Sequence, residues 1–210
     1  MTPEQTGKAY DSITGLWTRP EFNSENGTSS YRHALAFLPS NLLDGTHFAL
    51  DIGCGCTNRF VPIVEDKKLA YEGIDISTNM LDIARKSLPE QTFYHHDICS
   101  FNFPKQYAFI SAWDSLWHVP LHQQEALLVT LCHQLEAGGV LMFSCGGVDE
   151  AGCHTNKAMG PEVYYASLGI NGYVSLLVDA GMFIRHINYD QYPEQHTVII
   201  AQKPCLNTSP

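Results

Sequence analysis

The segment that most constrains this chain runs from Thr46 to Lys68. A short apolar run, Thr46-His47-Phe48-Ala49-Leu50, leads into Asp51-Ile52-Gly53-Cys54-Gly55-Cys56-Thr57-Asn58, and Arg59 to Lys68 then has helix character. A strand, a turn with two glycines and a helix make the nucleotide-binding corner of a doubly wound sheet. Gly53 and Gly55 lack Cβ atoms, so the backbone is free to approach a ligand closely and to take dihedrals that other residues avoid. Asp51 puts a carboxylate at the strand end, where it repels a phosphate and attracts an amine or a cation.

The remaining segments extend the pattern. Leu69 to Ile74 reads as a second strand ending in Asp75, whose carboxylate is placed to accept from both hydroxyls of a ribose. Ser77 is an N-cap, and Leu81, Ala84 and Leu88 share one face of the helix after it. Gln91 to His96 is a third strand ending in Asp97-Ile98, suited to an adenine amino group and ring. Tyr107 to Ala112 is a fourth strand, Leu121 to Leu135 a helix, Gly138-Gly139 a turn and Val140 to Ser144 a fifth strand. Tyr173 to Ala180 (helix), Phe183 to Tyr189 (strand) and His196 to Gln202 (strand, antiparallel to its neighbour) complete the series. Strands alternating with helices imply an α/β fold with a mostly parallel sheet and right-handed crossovers, and ligands in such sheets bind at the carboxyl ends of the strands. Strand-end carboxylates without a pyrophosphate partner point to S-adenosylmethionine, which has an amino group and a sulfonium but no phosphate.

At this level the chain resembles the class I S-adenosylmethionine-dependent methyltransferase family. The matching segments are Leu50 to Gly55, Gly73 to Ser77 with Met80, His96-Asp97-Ile98, Phe109 to Val119 and Leu135 to Leu141, in the family's order. Thr57 stands where the family often has a third glycine. The resemblance implies a doubly wound, seven-stranded sheet with helices on both faces and an antiparallel last strand. It implies one domain over 1–210: an N-terminal helical lid (1–45), a cofactor-binding core (46–145), a substrate-side insertion (146–172) and a C-terminal helix with strands (173–203). It also implies S-adenosylmethionine as cofactor, held by Asp51, Gly53, Cys54, Gly55, Asp75, Ile76, Met80, Asp97, Ile98, Ala112, Trp113 and Asp114.

Thr2-Pro3-Glu4 starts a first helix that should run to about Trp17, and Ser30 to Leu38 forms a second. Tyr10, Trp17, His154, Tyr164, Tyr165 and Asn171 are the substrate-side candidates by location, with Tyr192 and His196 behind them. His118 is the candidate catalytic base. An alcohol or phenol acceptor requires a base, for which His118, His154 and His196 are available, whereas a carboxylate or thiolate acceptor requires none. Adjacent His95 and His96 on a strand point to opposite faces, and Cys54 and Cys56 lack the usual zinc spacing, so no metal is expected.

Twelve Lys and Arg against 22 Asp and Glu give a formal net charge of −10, which disfavours a nucleic-acid partner and favours a small-molecule substrate. No apolar run approaches a membrane span. The first ten residues lack a signal core, and the seven cysteines form no spaced framework, so a reduced, cytoplasmic chain is expected. The tail from Pro204 to Pro210 should fray. Two other readings are a non-catalytic S-adenosylmethionine-binding protein and an NAD-dependent oxidoreductase. The second is disfavoured because Gly53-x-Gly55-x-x-Asn58 lacks the third glycine.

Overall fold

The computed structural model describes residues 1–205, so most of the tail expected to fray lies outside the described residues. The central feature is a seven-stranded sheet. Its strands are β1 (Phe48–Ile52), β2 (Ala70–Asp75), β3 (Thr92–His95), β4 (Tyr107–Ala112), β5 (Leu135–Gly146), β8 (Phe183–Asn188) and β9 (His196–Gln202). The order is β3-β2-β1-β4-β5-β9-β8, parallel from β3 to β5, with β9 antiparallel to both β5 and β8. The order reverses between β1 and β4. This switch point opens a crevice beyond the strand ends, where ligands of doubly wound sheets bind.

Apolar residues explain the two layers. The fully buried β4 carries Tyr107, Ala108, Phe109, Ile110 and Ala112, the mark of a strand covered on both faces. One face packs against α6 (Leu121–Gln134) through Leu127, Leu128 and Leu131, and against α7 (Ile170–Asp179) through Tyr173 and Leu177. The other packs against α3 (Thr28–Leu35) through Tyr31, Ala34 and Leu35, and against α4 (Val61–Glu65) through Ile63 and Val64. Each such leucine or isoleucine contributes roughly 1.5–3 kcal/mol on full burial. The remaining helices are α1 (Pro3–Asp11), α2 (Gly15–Thr18) and α5 (Thr78–Ser87).

Four expectations need correction. Gly138-Gly139 is not a turn ahead of the fifth strand but lies within β5, which starts at Leu135. The first helix stops at Asp11 and restarts as α2, because Ser12 bonds back to the Ala9 carbonyl through both its N–H and its hydroxyl. β1 begins two residues late and runs on through Ile52, so Asp51 lies within the strand rather than at its end. The insertion at 146–172, read from the sequence without regular structure, has its own between β5 and α7. It forms a hairpin of β6 (Gly152–Asn156) and β7 (Val163–Ser167), a separate sheet.

Candidate functional site

The glycine turn is built by hydrogen bonds to β2. The N–H groups of Gly53 and Cys54 both donate to the Ile74 carbonyl, at 2.8 and 3.2 Å. Gly55 N–H donates to Asp75 Oδ2 and Ser77 N–H to Asp75 Oδ1, both at 2.8 Å. Asp75 therefore ties the turn to the start of α5 while retaining lone pairs for a ligand. Burial holds its carboxyl above the usual carboxylate range, against the backbone donors that favour the charged form.

The two glycines do different jobs. Both have left-handed φ, +68° at Gly53 and +60° at Gly55. A Cβ at Gly53 would sit 2.3 Å from the Ser115 Cβ, whereas one at Gly55 would meet nothing within 4 Å. Gly53 thus permits chain packing rather than ligand approach, and Gly55 faces open space. Gly53→Ala is expected to cost about 3 kcal/mol or more of stability, from the left-handed backbone and overpacking together. Gly55→Ala is expected to cost only about 1–2 kcal/mol. Urea unfolding of both variants checks this difference.

Two cavities lie over the switch point and share Tyr10, Gly53, Asp75 and Asp114 as walls. The first is an apolar slot between Ile52, Ile74, Ile76, Ile98 and Leu116, with Asp97 at its rim and Pro3 and Thr6 of α1 across it. Asp97 also caps a short turn by accepting from Cys99 N–H at 3.0 Å. The second cavity is larger. Asp51, Cys54 to Thr57, Arg59, Met80 and Trp113 surround it on the glycine-turn side, with Trp17, Trp117, Met159, Tyr165, Gln191, Glu194 and His196 completing its lining.

Helix α1 covers the first cavity. Its Thr2 N-cap and Gln5 form a reciprocal capping box. Gly7 lets the helix approach Ile76, whose carbonyl oxygen a Cβ would meet at 2.8 Å. Asp11 latches the helix to α5, accepting from Ser77 Oγ at 2.6 Å and Asn79 N–H at 2.9 Å.

Asp51 is less available than the sequence suggests. Its carboxylate accepts from Tyr31 and Tyr71 hydroxyls, both at 2.8 Å, and from Ser111 at 3.0 Å. Three donors leave about one of its four acceptor positions for a ligand.

Asp114 adopts left-handed φ (+53°) just beyond β4. Its N–H donates to Ser144 Oγ at 2.7 Å, and its Oδ1 accepts from His196 Nε2 at 2.9 Å. His196 Nδ1 meets Asp190 Oδ1 at 2.5 Å. An imidazole with a carboxylate on each nitrogen donates twice and so carries a proton on both. Burial alone would lower its pKa, but the two carboxylates outweigh burial and hold it above the ordinary histidine value.

The geometry speaks against His118 as a base. Nδ1 lies 2.8 Å from the Tyr164 carbonyl, which accepts its proton. Nε2 then receives both the Tyr10 hydroxyl, at 2.6 Å, and Trp117 Nε1–H, at 3.0 Å. Its single lone pair is taken. Burial lowers the pKa to about 4. His118 instead fixes Tyr10 of α1 against β7.

Of the expected cofactor set, all but Ala112 line one of the two cavities; Ala112 is fully buried in the sheet. Tyr10, Trp17, Tyr165 and His196 line the second cavity, while His154, Tyr164, Asn171 and Tyr192 line neither. His154 stacks on the outer part of Tyr165, with ring centroids 5.4 Å apart, and Asn171 is exposed at the start of α7. Arg59, Asp190 and Glu194 were not visible as site residues in the sequence. Arg59 was hidden in a helix start, and the other two lie in an aperiodic stretch whose place depends on β9 pairing.

Residues 49–139 match the family model described as a methyltransferase domain. A trans-aconitate 2-methyltransferase of Enterobacter sp. (strain 638) is 31% identical over 170 residues, 77% of this chain and 67% of the relative. Among solved structures, magnesium protoporphyrin IX methyltransferase from Synechocystis PCC 6803 with bound S-adenosylmethionine superposes with a TM-score of 0.71 at 16% identity, covering 97% of this chain and 98% of that one. An S-adenosylmethionine-dependent methyltransferase from Mesorhizobium loti gives 0.65 at 18% identity, covering 85% and 99%. The chain belongs to the class I S-adenosylmethionine-dependent methyltransferase family. No helix among the described residues is long and apolar enough to cross a membrane.

Proposed function

We propose that the chain moves a methyl group from S-adenosylmethionine to a small-molecule acceptor. The observation that carries this reading is the pair of cavities that share Gly53, Asp75 and Asp114 at the switch point. The residues fit the cofactor. The isoleucine-lined slot with Asp97 at its rim suits adenine, Asp75 suits the ribose diol, and the open space at Gly55 admits the amino-acid tail. When bound, the cofactor supplies a methyl group whose bond to sulfur breaks with the electron pair left on sulfur as the acceptor atom bonds to carbon.

The protein's part is to position and to exclude water. Tyr10 and Trp17 from the N-terminal helices and Tyr165 from the hairpin bring aromatic surface to the second cavity, where the acceptor would lie. Correct orientation alone supplies on the order of 7–11 kcal/mol in favourable cases. A dry pocket favours a step in which the positive sulfonium becomes a neutral thioether. Asp11 keeps the lid seated, so Asp11→Ala is expected to weaken cofactor binding about three- to tenfold through loss of two hydrogen bonds. Stopped-flow measurement should place the change in the dissociation rate.

The aromatic lining of the second cavity and the net charge of −10 support a small acceptor over a nucleic acid. The test incubates the chain with tritiated-methyl S-adenosylmethionine and a cell extract from which proteins and nucleic acids can be separated. Label in the small-molecule fraction is expected. Label confined to protein or nucleic acid contradicts the reading.

A further inference from the structure

Arg59 has no role in the reading so far. Its guanidinium lies over Phe22 and Phe60, 5.1 and 4.5 Å from the ring centroids, on the wall of the second cavity. It forms no ion pair or hydrogen bond with any described residue, and its Nε is buried without a partner. Trp113, 3% exposed on the same wall, has a buried Nε1–H that is also unpartnered. A buried donor without an acceptor is costly, and Arg59, which lines the cavity, has no protein acceptor among the described residues. The planar guanidinium fork matches the paired oxygens of a carboxylate or a phosphate, and of the two a carboxylate is the one that can also be a methyl acceptor.

The available bases point the same way. The lone pair of His118 is capped, and both nitrogens of His196 are occupied. A carboxylate arrives ionised, so its methylation releases no proton and needs no base. The cofactor's own carboxylate has another place to bind. Cys56 and Thr57 line the same cavity, and their backbone N–H groups donate to no described residue. We propose that the methyl acceptor is a carboxylic acid whose carboxylate is received by Arg59. This rests on the methyltransferase reading and narrows it to methyl ester formation on that carboxylate.

The test is calorimetric. The chain is saturated with S-adenosylhomocysteine, and trans-aconitate, succinate and benzoate are titrated in turn into wild type, Arg59→Lys and Arg59→Gln. At least one acid is expected to bind the wild type, about tenfold or more weaker to Arg59→Gln and in between to Arg59→Lys. Affinity for S-adenosylhomocysteine should change by no more than about twofold. Acids that fail to bind the wild type, or bind it and Arg59→Gln equally, overturn the proposal. So does an Arg59→Gln variant that loses affinity for S-adenosylhomocysteine but not for methylthioadenosine, which lacks the tail. Wild type that fails to bind S-adenosylhomocysteine strikes the methyltransferase reading instead. A melting temperature within about 3 °C of wild type shows that Arg59→Gln is folded; if it is not, the lysine variant carries the comparison.

Discussion

Asp75→Ala is expected to weaken S-adenosylmethionine binding by about 100-fold. Two hydrogen bonds from a ribose diol to a charged acceptor, at about 1.5 kcal/mol each, contribute about 3 kcal/mol, and each 1.4 kcal/mol is about tenfold. The same change releases Gly55 N–H and Ser77 N–H, so the turn itself loosens. Asp75→Asn separates the two effects. The amide oxygen still serves one backbone donor, but its NH2 group faces the diol or the other N–H as a second donor. Calorimetry on both variants, with melting curves alongside, should show a binding loss larger than the stability loss.

His196→Leu is expected to lower stability by roughly 3 kcal/mol near pH 6, a fall of about 6–12 °C in melting temperature for a domain of this size. It leaves Asp114 and Asp190 facing each other without the cation between them. The effect should depend on pH in one direction. His196 has a raised pKa in the folded chain, so it takes up a proton more readily there than when unfolded. Its contribution is complete below the unfolded histidine value of about 6.5 and fades as pH rises through the folded value. A neutral ring donates from one nitrogen only and turns a lone pair towards the second carboxylate. The gap in melting temperature between wild type and His196→Leu should therefore narrow from pH 6 to pH 9. A gap that widens contradicts the charged bridge.

Much of this was legible in the sequence because the pattern is local. The glycine turn, the acidic end of β2, Asp97 just beyond β3, the Ser77 cap and the extent of β4 depend on residues close in the chain. The cofactor side follows from them, with Ala112 excepted because it is packed wholly into the hydrophobic core. The acceptor side depends on contacts far apart in sequence. His196 reaches Asp114 across 82 positions, and His118 finds its acceptor 46 positions away in β7. His118 reads as a base in the sequence because a neutral imidazole near pH 7 can take a proton from an acceptor. Only the fold shows that Tyr10 and Trp117 occupy its lone pair. The hairpin of 146–172 was missed for a similar reason: β6 is exposed at every residue, so its sequence has no buried alternation to read. Asp51 was given to the ligand because the strand seemed to end before it, and Tyr31, Tyr71 and Ser111 come to it from three separate elements.

The central claim is that the two joined cavities hold S-adenosylmethionine. Titration of the wild-type chain with S-adenosylmethionine and, separately, with NADH tests it most directly. Binding of S-adenosylmethionine with a dissociation constant on the order of micromolar, about −8 kcal/mol, and no heat with NADH is the predicted result. A folded chain that ignores S-adenosylmethionine, or that takes NADH in its place, contradicts the account.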